Sequence, residues 1–295
     1  MEIRRLTEDD REALVAVRLP AFGTSTLGWD RVEHPAYERW GSFVEGRLAA
    51  TATRKPYASW FRGREVPTCG VGGVAVAPEL RGRGLLRPLM ERLHEDARAQ
   101  GDVIATLFAS APGIYASLGY RTVGAMDTIE VEASTLHRFE RRHDLRRADE
   151  ADLPTLRRIY AEWARRHDGP LTRTSVEFDD AAWLHDATGV TLALDEDGRA
   201  VAYAAWDRSP GFGKDAHVEV EDLVWTDDAA RDSLLWMFGT FSSVTATVRF
   251  DTSGTELTDV LPEHRVRDHR PYDLLVLQPE AFEAPAGPVL VRDYF

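Results

Sequence analysis

The sequence has very little cysteine. Cys69 stands alone among 295 residues, so an internal disulfide and a multi-cysteine metal site are both excluded. We expect Cys69 to be a small buried residue in a strand, which is common for an unpaired cysteine. The nine histidines show no spacing typical of metal ligands either. The sequence therefore predicts a protein without a bound metal.

Long apolar runs are also missing. No run approaches the length of about 20 residues that a membrane-spanning helix requires, and residues 1–5 carry charges without an apolar stretch after them. We therefore expect no membrane association, no secretory signal and a cytoplasmic location. The net charge of −13 argues against nucleic acid as a partner and mildly favours cationic substrates. The sequence is compatible with a homo-oligomer.

Two familiar phosphate-binding motifs are absent. A P-loop requires a Lys-Ser or Lys-Thr pair after its glycines, and none follows Gly82 or Gly84. A dinucleotide-binding fold needs three spaced glycines and a later acidic residue, whereas Gly84 is followed by leucines. No Gly-x-Ser-x-Gly nucleophile elbow occurs. A nucleotide-binding, kinase-like function is therefore disfavoured.

An internal repeat organises the chain. Residues 3–14 parallel residues 145–156, and each copy reads as a short strand followed by a helix N-cap. Each copy opens a stretch of domain size, so the sequence predicts a first domain at 1–143, a second at 144–284 and a tail at 285–295. Strand and helix patterns mix in both halves, which predicts an α/β fold with a mixed sheet.

The most informative segment joins a strand to a helix. A Val- and Gly-rich strand predicted over 66–77 runs through a glycine-punctuated loop into an amphipathic helix predicted over 85–100. Glycines let backbone N–H groups converge, and a helix N-terminus carries partial positive charge. Arg81, Arg83 and Arg87 add further positive charge. The junction therefore predicts a phosphate or pyrophosphate site.

The matching junction in the second half differs. Residues 225–228 contain no glycine and two carboxylates, which would repel a phosphate. The sequence therefore predicts a second domain that keeps the scaffold of the first without its cofactor site.

Residues 81–86 resemble the acetyl-CoA motif of the GNAT superfamily, Arg/Gln-x-x-Gly-x-Gly/Ala, with Leu86 in place of the last Gly or Ala. The order Arg-Gly-Leu-Leu-Arg after Val-Ala-Val-Ala-Pro is similar to the Eis-like (enhanced intracellular survival) acetyltransferases. Residues 108–120 resemble a second block of that branch, Ala-Ser-x-x-x-Ile-Tyr-x-x-x-Gly-Tyr. The resemblance implies tandem GNAT domains, the second degenerate, with acetyl-CoA as co-substrate and no metal.

The resemblance also implies roles for single residues. Tyr115 would be the general acid that protonates the departing thiolate, since the pKa of a phenol lies near that of the thiol, while Tyr120 is interpreted as structural. Backbone groups would bind the pantetheine arm and the thioester carbonyl, and Ser110 would contact the cofactor. The backbone groups belong to Val74, Ala75 and Val76. The pyrophosphate would be held by Arg81, Gly82, Arg83, Gly84, Leu85, Leu86 and Arg87.

The C-terminus departs from the family pattern. Eis-like enzymes usually carry a third, sterol-carrier-like domain, and this chain ends soon after its second domain. Residues 293–295 nevertheless resemble the family's aromatic ending, whose main-chain carboxylate acts as the base. The resemblance thus implies that the carboxylate of Phe295 is the general base, held by a tail that reaches the active site.

Four aromatic residues lie between the first predicted helix and the strand that follows it, where GNAT domains place acceptor-binding loops. They either line an acceptor pocket, with Asp30 or Glu33 attracting an ammonium group, or belong to ordinary packing. The residues are Phe22, Trp29, Tyr37 and Trp40.

These patterns predict an acetyl-CoA-dependent N-acetyltransferase that acts on the primary amine of a small cationic molecule. The expected acceptors are aminoglycoside-like antibiotics, polyamines, lysine side chains or natural-product intermediates. Direct attack on the thioester requires no protein nucleophile. The alternative is a non-catalytic acyl-CoA-binding sensor or interaction protein, against which the retained Tyr115 argues.

Overall fold

A computed structural model describes residues 1–23, 36–175, 178–261 and 263–292. The strands within these ranges are β1 (Glu2–Arg5), β2 (Glu38–Val44), β3 (Arg47–Phe61), β4 (Arg64–Val76), β5 (Ile104–Phe108), β6 (Arg121–Glu132), β7 (Asp144–Arg147), β8 (Gly189–Leu194), β9 (Ala200–Arg208), β10 (Gly213–Trp225), β11 (Thr245–Thr252) and β12 (Arg265–Val276). All of them belong to one mixed sheet, in the order β1-β2-β3-β4-β5-β12-β6-β11-β10-β9-β8-β7.

Helices cover this sheet. Over the described residues the α-helices are α1 (Arg11–Phe22), α2 (Leu86–Ala99), α3 (Pro112–Ser117), α4 (Leu153–Ala164), α5 (Asp180–Asp186) and α6 (Asp228–Gly239). A mixed α/β fold is therefore confirmed.

The strand and helix that flank the glycine-rich loop form as the sequence predicts. β4 ends at Val76, two residues before Pro78, because proline cannot donate to a strand ladder. α2 begins at Leu86 and buries the apolar face that its helical spacing predicts, including Leu89 and Leu93. This packing fixes the helix start against the end of β4.

The two halves exchange their last strands. β4 and β5 are parallel neighbours in the first half, as β10 and β11 are in the second. β5 then pairs with β12, the last strand among the described residues, while β11 pairs with β6 from the first half. β6 and β12 pair with each other at the centre. Each half thus supplies a strand to the other. The domain ranges 1–143 and 144–284 stay a prediction. Strands from the first range pair with strands from the second.

The β3–β4 hairpin also joins the halves. Near its tip, the side chain of Trp60 packs in a core cluster with Tyr160 and Trp163 of the second half. The backbone N–H of Trp60 donates to the carbonyl of Pro170 at 2.8 Å. Burying one large aromatic side chain in this way contributes about 3 kcal/mol to stability.

The structure corrects part of the sequence analysis. Trp40 lies in β2, where it is buried in the core against α2 rather than in an acceptor-binding loop. Tyr37 is buried as well. β2 and β12 were not recognised, and the first half of β12 is exposed and charged, so it shows no alternation typical of a strand. Cys69 is buried in β4, as expected, and burial raises the pKa of its thiol.

Candidate functional site

A cavity of about 590 Å³ lies where β4, α2, α3 and the end of α1 meet. Its walls include every cofactor-binding residue that the sequence predicts, together with Tyr115. The lining residues are Ala21, Phe22, Val74, Ala75, Val76, Leu80, Arg81, Gly82, Arg83, Gly84, Leu85, Leu86, Arg87, Ser110, Ala111, Ile114 and Tyr115. Residues that are far apart in sequence therefore face one space.

The cavity opens because β4 and β5 separate. Their ladder ends at the pair Gly70 and Thr106, and the strands diverge towards their carboxyl ends. Val74 to Val76 on β4 and Ser110 after β5 then lie on opposite sides of the gap. Past the last pair, β4 keeps its ladder with β3. The β5-facing edge of its backbone is thereby left to the cavity.

The floor of the cavity is the start of α2. Gly82 and Gly84 have φ angles of +76° and +73°, a left-handed conformation that L side chains rarely adopt. The N-cap residue Leu85 makes no side-chain capping hydrogen bond. The first turn of the helix therefore lines the cavity without a capping oxygen from its N-cap side chain, which suits an anion.

The three predicted arginines differ in their hydrogen bonds and exposure. Arg81 donates to the carbonyl of Val76 at 3.4 Å, which keeps its side chain beside the strand end. Arg87 donates to the carbonyl and hydroxyl of Ser117, at 2.9 and 3.1 Å, so it also ties α2 to α3. Arg83 is exposed at the cavity mouth.

Tyr115 lies on α3 with 6% of its surface exposed. The centroids of the Tyr115 and Tyr120 rings lie 5.9 Å apart in a T-shaped arrangement, and the hydroxyl of Tyr120 lies 2.8 Å from Nε2 of His94. Burial, and then the carboxylate of Asp273, raise the pKa of Tyr115. The phenol therefore keeps its proton at neutral pH, as a proton donor must.

Asp273 does not line the cavity, but its charge acts on Tyr115, and sequence reasoning missed it. It belongs to β12, which the second half inserts beside β5, and it is 2% exposed. Thr122 Oγ1 donates to its Oδ1 at 2.7 Å. No local signal in the sequence marks this carboxylate, because its position near Tyr115 arises only from the strand exchange.

The remaining predicted residues divide into two groups. Phe22 lies at the cavity, with 43% of its surface exposed. Trp29, Asp30, Glu33 and Phe295 lie outside the described residues.

The C-terminal tail is described as far as Arg292. Val289, Leu290, Val291 and Arg292 are all buried. Val289 passes so close to β6 that a Cβ on Gly124 would collide with its carbonyl group. The tail therefore packs inside the molecule along the seam between the halves.

No group of three or more His, Cys, Asp or Glu side chains among the described residues could hold a metal ion. Over the same part of the chain, no helix is long and apolar enough to cross a membrane.

Comparison with known proteins gives two matching family models. Both are described as acetyltransferase (GNAT) domains, and they cover residues 2–123 and 158–279. The same kind of domain is thus recognised in each half.

Individual relatives carry matching names. N-acetyltransferase Eis of Mycobacterium tuberculosis is 34% identical over 134 residues, which are 39% of this chain and 31% of that protein. An uncharacterized N-acetyltransferase of Streptomyces avermitilis is 30% identical over 191 residues, 60% of this chain and 46% of that protein. The chain thus spans less than half the length of these curated relatives.

A solved structure extends the likeness to nearly the whole chain. A probable N-acyltransferase from Enterococcus faecalis superposes with a TM-score of 0.82 over 95% of this chain and 74% of that one. At 18% identity this likeness shows the fold alone. The family itself is shown by the two models, which together cover most of the sequence: the chain belongs to the GNAT acetyltransferase family, with two GNAT domains in tandem.

Proposed function

We propose that this chain is an acetyl-CoA-dependent N-acetyltransferase that acts on a primary amine of a small cationic molecule. The observation that carries the proposal is that one cavity joins the strand gap, the uncapped start of α2 and Tyr115. Cofactor, acid and acceptor would thereby meet at one point.

Three features of the cavity support acetyl-CoA as the co-substrate. Left-handed Gly82 and Gly84 turn the loop so that backbone N–H groups and the start of α2 face the same space. Arg83 lies at its mouth and provides a mobile positive charge for phosphate oxygens. The gap between β4 and β5 is lined by Val74 to Val76, whose backbone groups suit the amides of a pantetheine arm.

Acetyl-CoA supplies an acyl group activated as a thioester. The amine nitrogen bonds to the acyl carbon, the carbon–sulfur bond breaks, and Tyr115 donates its proton to the departing sulfur. The proton lost by the amine passes to a base, directly or through water, for which we propose the terminal carboxylate of Phe295. The protein thus contributes orientation and proton transfer without a covalent intermediate.

The acceptor class follows from charge and access. The net charge of −13 favours cations over anions as encounter partners. Phe22 and Ile114 are apolar residues at the cavity with 43% and 48% of their surfaces exposed, and they would contact the carbon skeleton of an acceptor. Aminoglycoside-like antibiotics, polyamines and amine intermediates of natural-product synthesis are the classes to test.

A thiol-release assay against a panel of such amines tests the proposal. We expect amine-dependent release of free CoA from acetyl-CoA by the wild-type chain, and an acetylated amine as the second product by mass spectrometry. Binding of acetyl-CoA with no release for any amine would instead support an acyl-CoA-binding sensor.

A further inference from the structure

The second half also contains parallel strands that separate, and there the gap is filled by the chain itself. The β10–β11 ladder ends at the pair Val220 and Phe250, as the β4–β5 ladder ends in the first half. Past this point, the guanidinium of Arg292 donates to one carbonyl on each strand. The acceptors are Leu223 at 3.2 Å and Asp251 at 3.0 Å. Arg292 therefore bridges the gap that corresponds to the cavity of the first half.

A buried carboxylate faces this arginine. Asp222 is 1% exposed and Arg292 is 5% exposed. The distance from Oδ1 of Asp222 to Nη1 of Arg292 is 3.9 Å. Oδ2 of Asp222 accepts from Arg173 and from the hydroxyl of Tyr203, both at 2.7 Å. Burial acts to raise the pKa of Asp222, but Arg173 and Arg292 outweigh it and hold the pKa below its usual value. The carboxylate is thus ionised and forms a buried ion pair with Arg292, whose hydrogen bonds go to the two strand carbonyls.

Backbone contacts fix the segment before Arg292. The carboxylate of Asp168 accepts from the N–H of Ala286, and its carbonyl accepts from the N–H of Leu290, each at 2.8 Å. The N–H of Val291 donates to the hydroxyl of Ser253 at 2.9 Å. Successive tail residues therefore have defined partners, and the register of the tail is set.

We propose that the second half has converted its cofactor cleft into a seat for the tail, and that Arg292 is a positioning residue for the three residues after it. This inference rests on the proposed function, in which the carboxylate of Phe295 accepts the amine proton. Three residues span at most about 10 Å, so a fixed Arg292 limits where that carboxylate can lie. Proton transfer depends steeply on such placement.

The experiment compares Arg292→Met with wild type in the full-length chain. Arg292→Met removes the bridge between the strands, while Asp222 keeps Arg173 as its partner, so the fold should survive. The control is Arg231→Met, because Arg231 is also buried in the second half and pairs with Asp228 and Asp232, away from the tail.

Three quantities are measured: kcat, the Kd for acetyl-CoA, and the rate at which carboxypeptidase Y releases Phe295 from the folded protein. For Arg292→Met we expect kcat to fall by about tenfold or more, release of Phe295 to accelerate, and the Kd to stay unchanged. Arg292→Lys should recover part of kcat, since an ammonium keeps the charge but not the two-carbonyl fork. Arg231→Met should match wild type in all three.

The proposal that Arg292 positions the tail would be wrong if Arg292→Met kept both the wild-type kcat and the wild-type resistance to carboxypeptidase Y. If Arg292→Met unfolds, Ser253→Ala gives the same test, because it removes the acceptor of the Val291 N–H and leaves the ion pair intact. Failure of the base assignment can be told apart from this outcome. If Phe295 is not the base, a chain extended beyond Phe295 would keep full turnover. The carboxypeptidase rates would then still show whether Arg292 holds the tail.

Discussion

The helix starts of the two halves show how one scaffold yields an open site and a closed one. At the start of α2, the N-cap residue Leu85 offers no side-chain oxygen, and the free N–H groups face a cavity of about 590 Å³. At the start of α6, the side chain of Asp227 accepts from the N–H of Ala230 at 2.9 Å. A carboxylate of the chain therefore takes the position that an anionic ligand would need.

The gaps between the parallel strands also differ, with the first open and the second closed. In the first half the gap between β4 and β5 opens to the cavity, whereas in the second half Arg292 bridges β10 and β11. At the helix starts and at the strand gaps alike, the backbone donors and acceptors need a hydrogen-bond partner, either from the chain or from a ligand. Where the chain satisfies them itself, no ligand site remains. The comparison can be tested at four points.

Extension of the chain beyond Phe295 should have the largest effect. A few added residues convert the terminal carboxylate into a neutral amide, which cannot serve as a base. Turnover should be abolished, while acetyl-CoA binding and the melting temperature stay at wild-type values. Steady-state kinetics of C-terminally and N-terminally tagged chains give the measurement. Equal activity of the two tagged chains would show that the base lies elsewhere.

Tyr115→Phe should come next. The ring and its edge contact with Tyr120 survive, and only the proton donor is lost, so kcat should fall by about 10²–10⁴-fold. The Kd for acetyl-CoA should change by no more than a few-fold. Stopped assays and calorimetry measure the two quantities. Tyr120→Phe, which removes the hydrogen bond to His94 instead, is a matched control, and a kcat loss as large as that of Tyr115→Phe would contradict the assignment.

Gly82→Asp should weaken acetyl-CoA binding by about tenfold or more, equivalent to about 1.4 kcal/mol. It places a carboxylate at the proposed pyrophosphate site and strains a left-handed residue. Gly198→Asp is the matched control, since Gly198 has the same φ of +76° and equally open surroundings in the second half. Arg83→Glu should also weaken binding, without backbone strain. Unchanged affinity in calorimetry for both first-half variants would remove the cofactor assignment.

Asp227→Ala should have the smallest effect. Loss of this N-cap should cost about 1 kcal/mol in the free energy of unfolding, measured by urea denaturation. Acetyl-CoA affinity and stoichiometry should not change, because Arg292 still occupies the neighbouring strand gap. A second bound equivalent of acetyl-CoA in calorimetry would show that the cap alone had closed the second half.

Local patterns were enough to predict much of the first half. The strand over 66–77 and the helix over 85–100 appear as β4 and α2 within two residues at each end. Glycine at positions 82 and 84 signals a left-handed loop, because φ is a property of the residue and its neighbours. Trp40 was harder to place, since an aromatic residue reads alike in a loop and in a short buried strand.

By itself, the sequence determined the repeat, the mixed α/β fold, the glycine-rich helix start and the acidic replacement of that start in the second half. Each depends on residues that are neighbours along the chain. Only the tertiary structure decided which strands complete each half, that Asp273 lies near Tyr115, and that Arg292 bridges β10 and β11. These contacts join segments that are far apart in sequence, and the free energy of packing the whole sheet selects them.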